Sequence, residues 1–207
     1  MLLAVLVQAG GLPEKPLEAE DVQPLAYMGL DIPELRKDTA NYYNCMSRLD
    51  SPIGELLAVL RASGKNENTL IAYIGDHGAD MLRGKRTSYE GGVRIPMFLH
   101  WGPKWASGSV REELASTIDL FPTFIEAAGA EPVPGLPGRS LLPVANGKAK
   151  EWRRYLYTEY HAHSAHNYYP QRTVRGERFK LIWKLIPNQS NPGYQHTFNF
   201  FTKDWKR

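Results

Sequence analysis

The sequence contains almost no cysteine, little net charge and no long apolar run. Its single thiol, Cys45, excludes both an internal disulfide and a cysteine-based zinc cluster. The formal net charge of +3, with acids interleaved among the bases, gives no basis for binding nucleic acid. The mostly apolar stretch 1–8 is too short to span a bilayer and no basic residue precedes it, so we expect neither a membrane span nor a signal peptide.

The residues that are present predict a folded α/β domain. A chain that is 43% hydrophobic and 23% charged has the profile of a globular protein with a buried core. Apolar residues recur at three- and four-residue steps over 34–62, which predicts one amphipathic helix or two in tandem. Pro52 predicts a kink or a break near Asp50. A further helix is predicted over 119–128, with Asp119 as its N-cap and not as a catalyst.

Short apolar runs predict buried strands. The run at 69–74 has the composition of a strand covered on both faces, and a helix followed by such a strand favours a parallel sheet. A second strand is predicted at 95–100. Beyond residue 152, short aromatic and β-branched runs separated by turns predict a small antiparallel sheet with a hairpin turn at 176–178. We therefore divide the chain into three parts: an N-terminal extended segment (1–33), an α/β part (34–138) and a small C-terminal α+β subdomain (139–207).

The residues whose side chains could take part in catalysis or ligand binding follow the first predicted strand. Asp76 and His77 fall where ligands sit in parallel sheets, beyond the carboxyl end of a strand. Lys85 lies eight residues past the imidazole in a glycine-rich loop, and a lysine is a compact charge that can hold a tetrahedral anion. Together they suggest metal-assisted attack on an anionic phosphorus or sulfur centre. The alternative is a turn in which the aspartate only hydrogen-bonds its own backbone.

Several segments, in order, resemble one known family. The loop has the pattern Lys85-x-x-x-Tyr89-Glu90-Gly91-Gly92-x-Arg94-Ile95-Pro96, which closely resembles a signature of the type I sulfatases in the alkaline phosphatase superfamily. Four further stretches resemble that family's landmarks in the same order: 42–50, 68–78, 116–123 and 138–143. The resemblance implies an α/β fold with an alkaline-phosphatase-like mixed or parallel sheet flanked by helices, incomplete here, plus the small C-terminal antiparallel sheet.

The resemblance also implies roles for individual residues. Asp76 and His77 would be two ligands of a divalent cation, most often Ca²⁺, with Mg²⁺ or Mn²⁺ as alternatives. Lys85 would contact the sulfate oxygens and stabilise the charge that develops during hydrolysis. Glu90 and Arg94 would hold the loop in place without touching the substrate.

Within the family, the C-terminal stretches look most like the heparan N-sulfatase (sulfamidase) branch. By that likeness His163 and Arg172 would line the substrate pocket. The three histidines His161, His163 and His166 lie close together, but no neighbouring carboxylate completes a metal site, and a solvated polar loop explains them equally well.

The family's nucleophile motif is missing from this sequence. Type I sulfatases use a formylglycine made from the Cys or Ser of a C/S-x-P-x-R motif, and Cys45 is followed by no such pattern. We therefore expect a sulfatase-type hydrolase of sulfate esters or N-sulfates on sulfated carbohydrates or other small sulfate esters, inactive as this chain alone. It could pair with a complementary N-terminal chain or with itself. The alternatives are a phosphonate monoester hydrolase or phosphodiesterase of the same superfamily, and a non-catalytic fragment that binds anionic glycans.

Overall fold

The structure is a computed structural model that describes residues 14–105, 107–163 and 168–192. These residues divide into two compact units, 14–66 and 67–192. The part boundaries expected after residues 33 and 138 stay predictions. Among the helices in the described ranges, none has the length and apolar character that a bilayer crossing requires.

The first unit is built on one long helix, α1 (Pro33–Ala62). Pro33 occupies the first turn, where its missing N–H costs nothing, and Gly64 follows the end in a left-handed conformation with φ 69°. The helix continues through Pro52, so of the two predicted arrangements, one helix or two in tandem, the single helix forms. One proline removes only one backbone donor from a 30-residue helix, and the turns on either side continue the hydrogen-bonding pattern.

The extended segment before α1 lies against the helix. The backbone N–H of Leu17 donates to Asn44 Oδ1 at 2.9 Å, and Asn44 Nδ2 donates back to the Leu17 carbonyl at 2.9 Å. Arg36 pairs with both carboxylate oxygens of Asp31 at 2.6 Å. Leu35 and Thr39, on the covered face, are both buried. The unit therefore has a small core under a polar helix.

The second unit begins with a two-stranded sheet of β1 (Ile71–Ile74) and β2 (Met97–His100). The mixed α/β class is confirmed, but these strands pair antiparallel, with Ile71 opposite His100 and Ile74 opposite Met97. The order of helix and then strand favours a parallel sheet, in which neighbouring strands are joined by a crossover connection, usually a helix. The chain instead turns back through the loop at 75–96 and runs alongside β1 in the opposite direction.

This unit contains three short helices: α2 (Glu90–Val93), between β1 and β2, and α3 (Leu120–Ala127) and α4 (Leu142–Ala145), which come after β2. Asp119 precedes α3 as predicted, but its buried carboxylate does not cap that helix. Asp119 accepts hydrogen bonds from the backbone N–H groups of Ser116 (2.8 Å) and Arg139 (2.9 Å) and pairs with Arg153. It therefore joins three chain segments and has a structural role.

The C-terminal sheet has the strand order β3–β4–β5, made of β3 (Leu156–Tyr160), β4 (Gln171–Arg175) and β5 (Lys180–Lys184). Both pairs are antiparallel, which confirms the predicted sheet and its hairpin. Side chains alternate between two faces. One face carries Gln171 and Thr173, both buried, and the opposite face carries Tyr157, Glu159, Arg172, Leu181 and Trp183; we call this second set the outer face.

Candidate functional site

The site begins at the turn that ends β1. Asp76 Oδ1 accepts the backbone N–H of the next residue, His77, at 2.9 Å. An Asx turn would use the N–H two residues on, but the Gly78 N–H donates to the Gly92 carbonyl. The other carboxylate oxygen, Oδ2, lies 3.2 Å from His77 Nε2. The Asp76 side chain is 85% exposed and the His77 side chain 39%. The Asp76 carboxylate and the His77 ring therefore lie side by side at the turn, without the Asx hydrogen bond of the alternative interpretation.

The two nitrogens of the His77 ring have different partners, and these partners determine which nitrogen could bind a metal ion. Nδ1 lies 2.8 Å from the Gly78 carbonyl oxygen, which can only accept, so Nδ1 carries a proton. Nε2 faces Asp76 Oδ2 at 3.2 Å. The orientation, with one ring nitrogen held by a backbone carbonyl, is the one that metal-binding histidines commonly have.

The loop that carries Lys85, residues 79–92, packs directly on this turn; we call it the lysine loop. The N–H of Gly78 donates to the Gly92 carbonyl at 3.0 Å, and the N–H of Lys85 donates to the Ala79 carbonyl at 2.8 Å. A Cβ atom on Gly78 would lie 1.6 Å from the Gly91 carbonyl oxygen, and one on Gly84 would lie 2.0 Å from that of Ala79. Only glycine allows these backbones to approach so closely.

Two non-glycine residues in the lysine loop have left-handed backbone conformations. Arg83 has φ 60° and Arg86 has φ 71°, and they bracket Lys85. L-residues rarely adopt this conformation, and such strain persists only where the surrounding structure imposes it, often at functional sites. The backbone around Lys85 is therefore fixed by its neighbours and not by local preference.

Four of the five residues predicted for the site come together. Asp76, His77, Lys85 and His163 line one open cleft. Burial lowers the pKa of His163, and the positive charges of Lys85 and Arg86 lower it further. His163 is thus close enough to Lys85 to respond to its charge. His166 lies outside the described residues.

The fifth residue, Arg172, lies on the outer face of the C-terminal sheet. Its Nη1 donates to Glu159 Oε2 at 2.5 Å and lies 2.7 Å from His161 Nε2. All three side chains are about half exposed, and Arg172 is absent from the lining of the cleft. The role of Arg172 in substrate binding stays a prediction.

Three polar contacts attach the lysine loop to the C-terminal subdomain, and the sequence gave no signal for the first two. Gln171 Oε1 accepts the backbone N–H of Ser88 at 3.2 Å, and both residues are buried. Asn191 Nδ2 donates to the Arg86 carbonyl at 3.3 Å. The partners are separated by 83 and 105 residues, so no local pattern could have indicated them.

Glu90 provides the third contact, as an ion pair. Its carboxylate lies 3.0 Å from Lys180 Nζ and 3.5 Å from Arg175 Nε. Burial alone would raise the pKa of Glu90, but the hydrogen bond and charge of Lys180 and the charge of Arg175 lower it overall. These contacts suit a residue that holds the loop in place.

The donor set suits a divalent cation only in part. Asp76 and His77 offer one carboxylate oxygen and one imidazole nitrogen, both accessible and close together. Within the described ranges, no group of three or more His, Cys, Asp or Glu side chains could hold a metal ion. Since hard cations such as Ca²⁺ take six to eight oxygen-rich ligands, the rest would have to be water or groups from elsewhere.

Comparison with protein-family models identifies the chain. The sulfatase model matches residues 13–130, which include the whole of the Asp76 turn and the lysine loop. The chain belongs to the sulfatase family. A second model, described as N-sulphoglucosamine sulphohydrolase, C-terminal, matches residues 75–191 and agrees with the branch that the sequence predicted. Sulfatases generally use a divalent metal, which accords with the accessible pair of donors at the turn.

Individual relatives support the assignment. An ulvan-active sulfatase of Formosa agariphila is 31% identical over 155 residues, which cover 75% of this chain and 25% of the relative. A protein solved in complex with its substrate D-glucosamine-2-N,6-O-disulfate has a TM-score of 0.63 at 28% identity and covers 72% of this chain and 31% of that one. A phosphonate monoester hydrolase from Silicibacter pomeroyi has a TM-score of 0.64 at 25% identity, with coverage of 75% and 34%. The chain thus spans about a quarter to a third of these sulfatase-fold proteins.

Proposed function

We propose that this chain supplies the sulfate-binding lysine and two of the metal ligands to an active site that hydrolyses sulfate esters or N-sulfates on sugars. The observation that carries the proposal is the packing of the lysine loop on the Asp76–His77 turn, joined by the 3.0 Å hydrogen bond from Gly78 to Gly92. That packing brings an ammonium group, a carboxylate and an imidazole to one cleft.

Each side chain has a distinct part in the proposal. Lys85 places a positive charge against the sulfate oxygens and neutralises the negative charge that grows there during bond cleavage. Asp76 and His77 would hold a divalent cation, Ca²⁺ by preference as the family resemblance implies and otherwise Mg²⁺ or Mn²⁺. Asp76 offers a hard carboxylate oxygen, His77 adds an imidazole nitrogen, and both are accessible. The cation, when bound, acts as a Lewis acid on the sulfate group. His163, whose pKa is lowered by burial and by Lys85, is neutral at pH 7 and donates one N–H to the bound anion.

The nucleophile would come from outside the printed sequence. No C/S-x-P-x-R motif, the source of formylglycine in type I sulfatases, occurs in these 207 residues. We therefore propose that this chain does not turn over by itself and acts with a complementary N-terminal sulfatase segment, in the same or a separate chain; a homo-oligomer is the other arrangement considered.

Similarity to the solved phosphonate monoester hydrolase favours one alternative activity. Sulfate and phosphonate monoesters are both tetrahedral monoanions, so a lysine beside a metal site suits either. The similarity to the protein bound to a doubly sulfated glucosamine, together with the N-sulphoglucosamine sulphohydrolase match, supports sulfated sugars as the substrate class.

Binding by the chain as it stands tests the proposal. Backbone amide spectra recorded during titration with glucosamine N-sulfate, with and without Ca²⁺, should show shifts at residues 76–78 and 84–92, and Ca²⁺ should tighten binding. Lys85→Met should weaken binding by about tenfold or more, because it removes one charge-assisted hydrogen bond to the sulfate. The matched control Lys148→Met removes an exposed lysine outside the cleft and should change nothing.

Two further measurements separate the alternatives. Methyl sulfate should bind more tightly than methyl methylphosphonate, an equally charged analogue; the reverse order would favour the phosphonate hydrolase. The chain alone should release no 4-nitrophenol from 4-nitrophenyl sulfate. Equal affinity for glucosamine N-sulfate in the wild type and in Lys85→Met would refute the site itself.

A further inference from the structure

The outer face of the C-terminal sheet presents an apolar surface that the proposed function does not use. Its side chains Tyr157, Leu181 and Trp183 are 72%, 64% and 63% exposed, and Phe179, just before β5, is 76% exposed. None of these four residues is among those that line the cleft of Lys85. Single exposed apolar residues are ordinary, but several large ones together mark an interaction site.

The strand register places these side chains next to one another. Tyr157 lies opposite Val174, and Val174 lies opposite Leu181, so one apolar row crosses all three strands. Residues two positions apart on a strand point to the same face, so Phe179 and Trp183 flank Leu181 along β5. We call these five residues the apolar patch. It spans the full width of the sheet.

The charged groups beside the apolar patch balance one another. Arg172 pairs with Glu159 at 2.5 Å. Cζ of Arg178 lies 5.2 Å from the centre of the Phe179 ring, and Glu177 precedes it in the chain. A surface for a sulfated sugar would carry an excess of unpaired positive charge, whereas two copies of a balanced face do not repel each other. The charges therefore favour a second copy of this chain over an anionic glycan.

The area of the apolar patch suits a dimer of moderate affinity. A large aromatic side chain buries about 150–250 Å² when it is fully covered, so four large side chains about two-thirds exposed offer roughly 500 Å² per copy. A standard interface buries about 800 Å² per partner. The patch and its polar surroundings together approach that area, and the faces of two sheets pack well when their side chains interdigitate.

From these observations we infer that two copies of this chain pack their outer faces together, sheet on sheet, around a twofold axis. The apolar patch forms the centre of the interface, and the Glu159–Arg172 pair lies at its rim. Twofold packing uses the same surface on both copies, so Arg172 can approach the partner's Glu159. Both copies lack the nucleophile motif, so this pairing does not complete the active site, and the inference does not depend on the proposed function.

Sedimentation velocity over a series of protein concentrations tests for the dimer. We expect a dissociation constant in the micromolar range, because the buried area lies at the lower end for specific interfaces. Leu181→Glu would bury one carboxylate from each copy and should raise that constant by about hundredfold or more. Tyr157→Glu, on another strand, should have the same effect, so the result does not depend on the folding of one variant.

The matched control is Leu56→Glu. Leu56 is 68% exposed, much like Leu181, but lies on α1, so this variant should leave the dissociation constant unchanged. Hydroxyl-radical footprinting then locates the interface: oxidation of Tyr157 and Trp183 should fall as the protein concentration rises through the dissociation constant. Oxidation of Phe121, which is exposed on α3, should not change.

Three results would overturn the dimer. The first is a chain that stays monomeric at about 0.5 mM, far above a micromolar constant. The second is a dimer that both Leu181→Glu and Tyr157→Glu leave intact. The third is protection of Trp183 in dilute protein by a heparin oligosaccharide, without protection by self-association, which would make the outer face a glycan-binding surface.

Discussion

The lysine loop and the outer face of the C-terminal sheet both carry paired charges, but they hold them by different means. In the lysine loop, the positions of the side chains are fixed by close backbone contacts at Gly78 and Gly84. The buried hydrogen bond that the Ser88 N–H donates to Gln171 of the sheet adds to this. On the outer face, Arg172 and Glu159 pair in solvent with about half of each side chain exposed. The first arrangement defines a geometry before a ligand arrives, whereas the second is adjustable and weak.

The largest expected effect comes from the closest backbone contact. Gly78→Ala would place a methyl group 1.6 Å from the Gly91 carbonyl oxygen, so the turn and the lysine loop must separate. We expect a loss of about 3 kcal/mol or more in the free energy of unfolding, together with loss of binding of glucosamine N-sulfate. Chemical denaturation and the amide titration measure the two effects.

A second glycine provides the control for this variant. Gly54 lies inside α1, and a methyl group added there would meet open space, so Gly54→Ala should raise stability by about 0.5–1 kcal/mol and leave binding intact. If Gly78→Ala unfolds at the wild-type denaturant concentration, the close contact does not determine the structure of the site.

The next effect is expected at Gln171, on the buried face of β4. Gln171→Met keeps the volume but leaves the buried N–H of Ser88 without an acceptor, which should cost about 1–3 kcal/mol. Hydrogen exchange should accelerate at Ser88 in particular. The neighbouring substitution Arg172→Met, on the outer face, should leave the exchange rate of Ser88 unchanged; equal rates in both variants would contradict the role of Gln171.

Glu90→Gln should have a smaller effect that depends on pH. Lys180 and Arg175 lower the pKa of Glu90 in the folded state, so its ion pairs add stability above the unfolded-state pKa, and that stability is lost as the pH falls through the folded pKa. Because Glu90 is 40% exposed, we expect a difference of about 1 kcal/mol or less between the wild type and the variant at pH 7. Unfolding curves at pH 7 and near pH 3 should show the difference at the higher pH and little at the lower one.

The smallest effect is expected on the outer face. Arg172→Ala removes an exposed pair with Glu159 and should change stability by about 0.5 kcal/mol or less. Binding of glucosamine N-sulfate should also change little, because Arg172 does not line the cleft. A loss of affinity as large as that of Lys85→Met would instead support the substrate-binding role that the sequence predicted.

Much of the fold followed from local pattern. The strands at 71–74 and 97–100, the helix α3 and the three-stranded C-terminal sheet all lie where apolar spacing and turn residues placed them. Two features were left open because a local pattern cannot encode them. The direction in which β1 and β2 pair depends on the path of the connecting chain, and the choice between one helix and two at Pro52 depends on the turns around it.

For the candidate site, the residues that could bind a cation or an anion were predictable from the sequence. The contacts that Gln171 and Asn191 make with the lysine loop were not. The spacing of Asp76, His77 and Lys85 indicated a cation and an anion in one pocket. Gln171 and Asn191 gave no signal, because a glutamine or asparagine is recognised as a loop support only when its partner, 83 or 105 residues away, is known.

The sequence by itself determined the family, the identity of the charged groups and the glycines that make close contact possible. The tertiary structure alone decided that His163 shares the cleft of Lys85 and that Arg172 faces the other side of its sheet. The physical reason is that chemistry resides in single side chains, whereas proximity and burial arise from contacts between residues far apart in sequence.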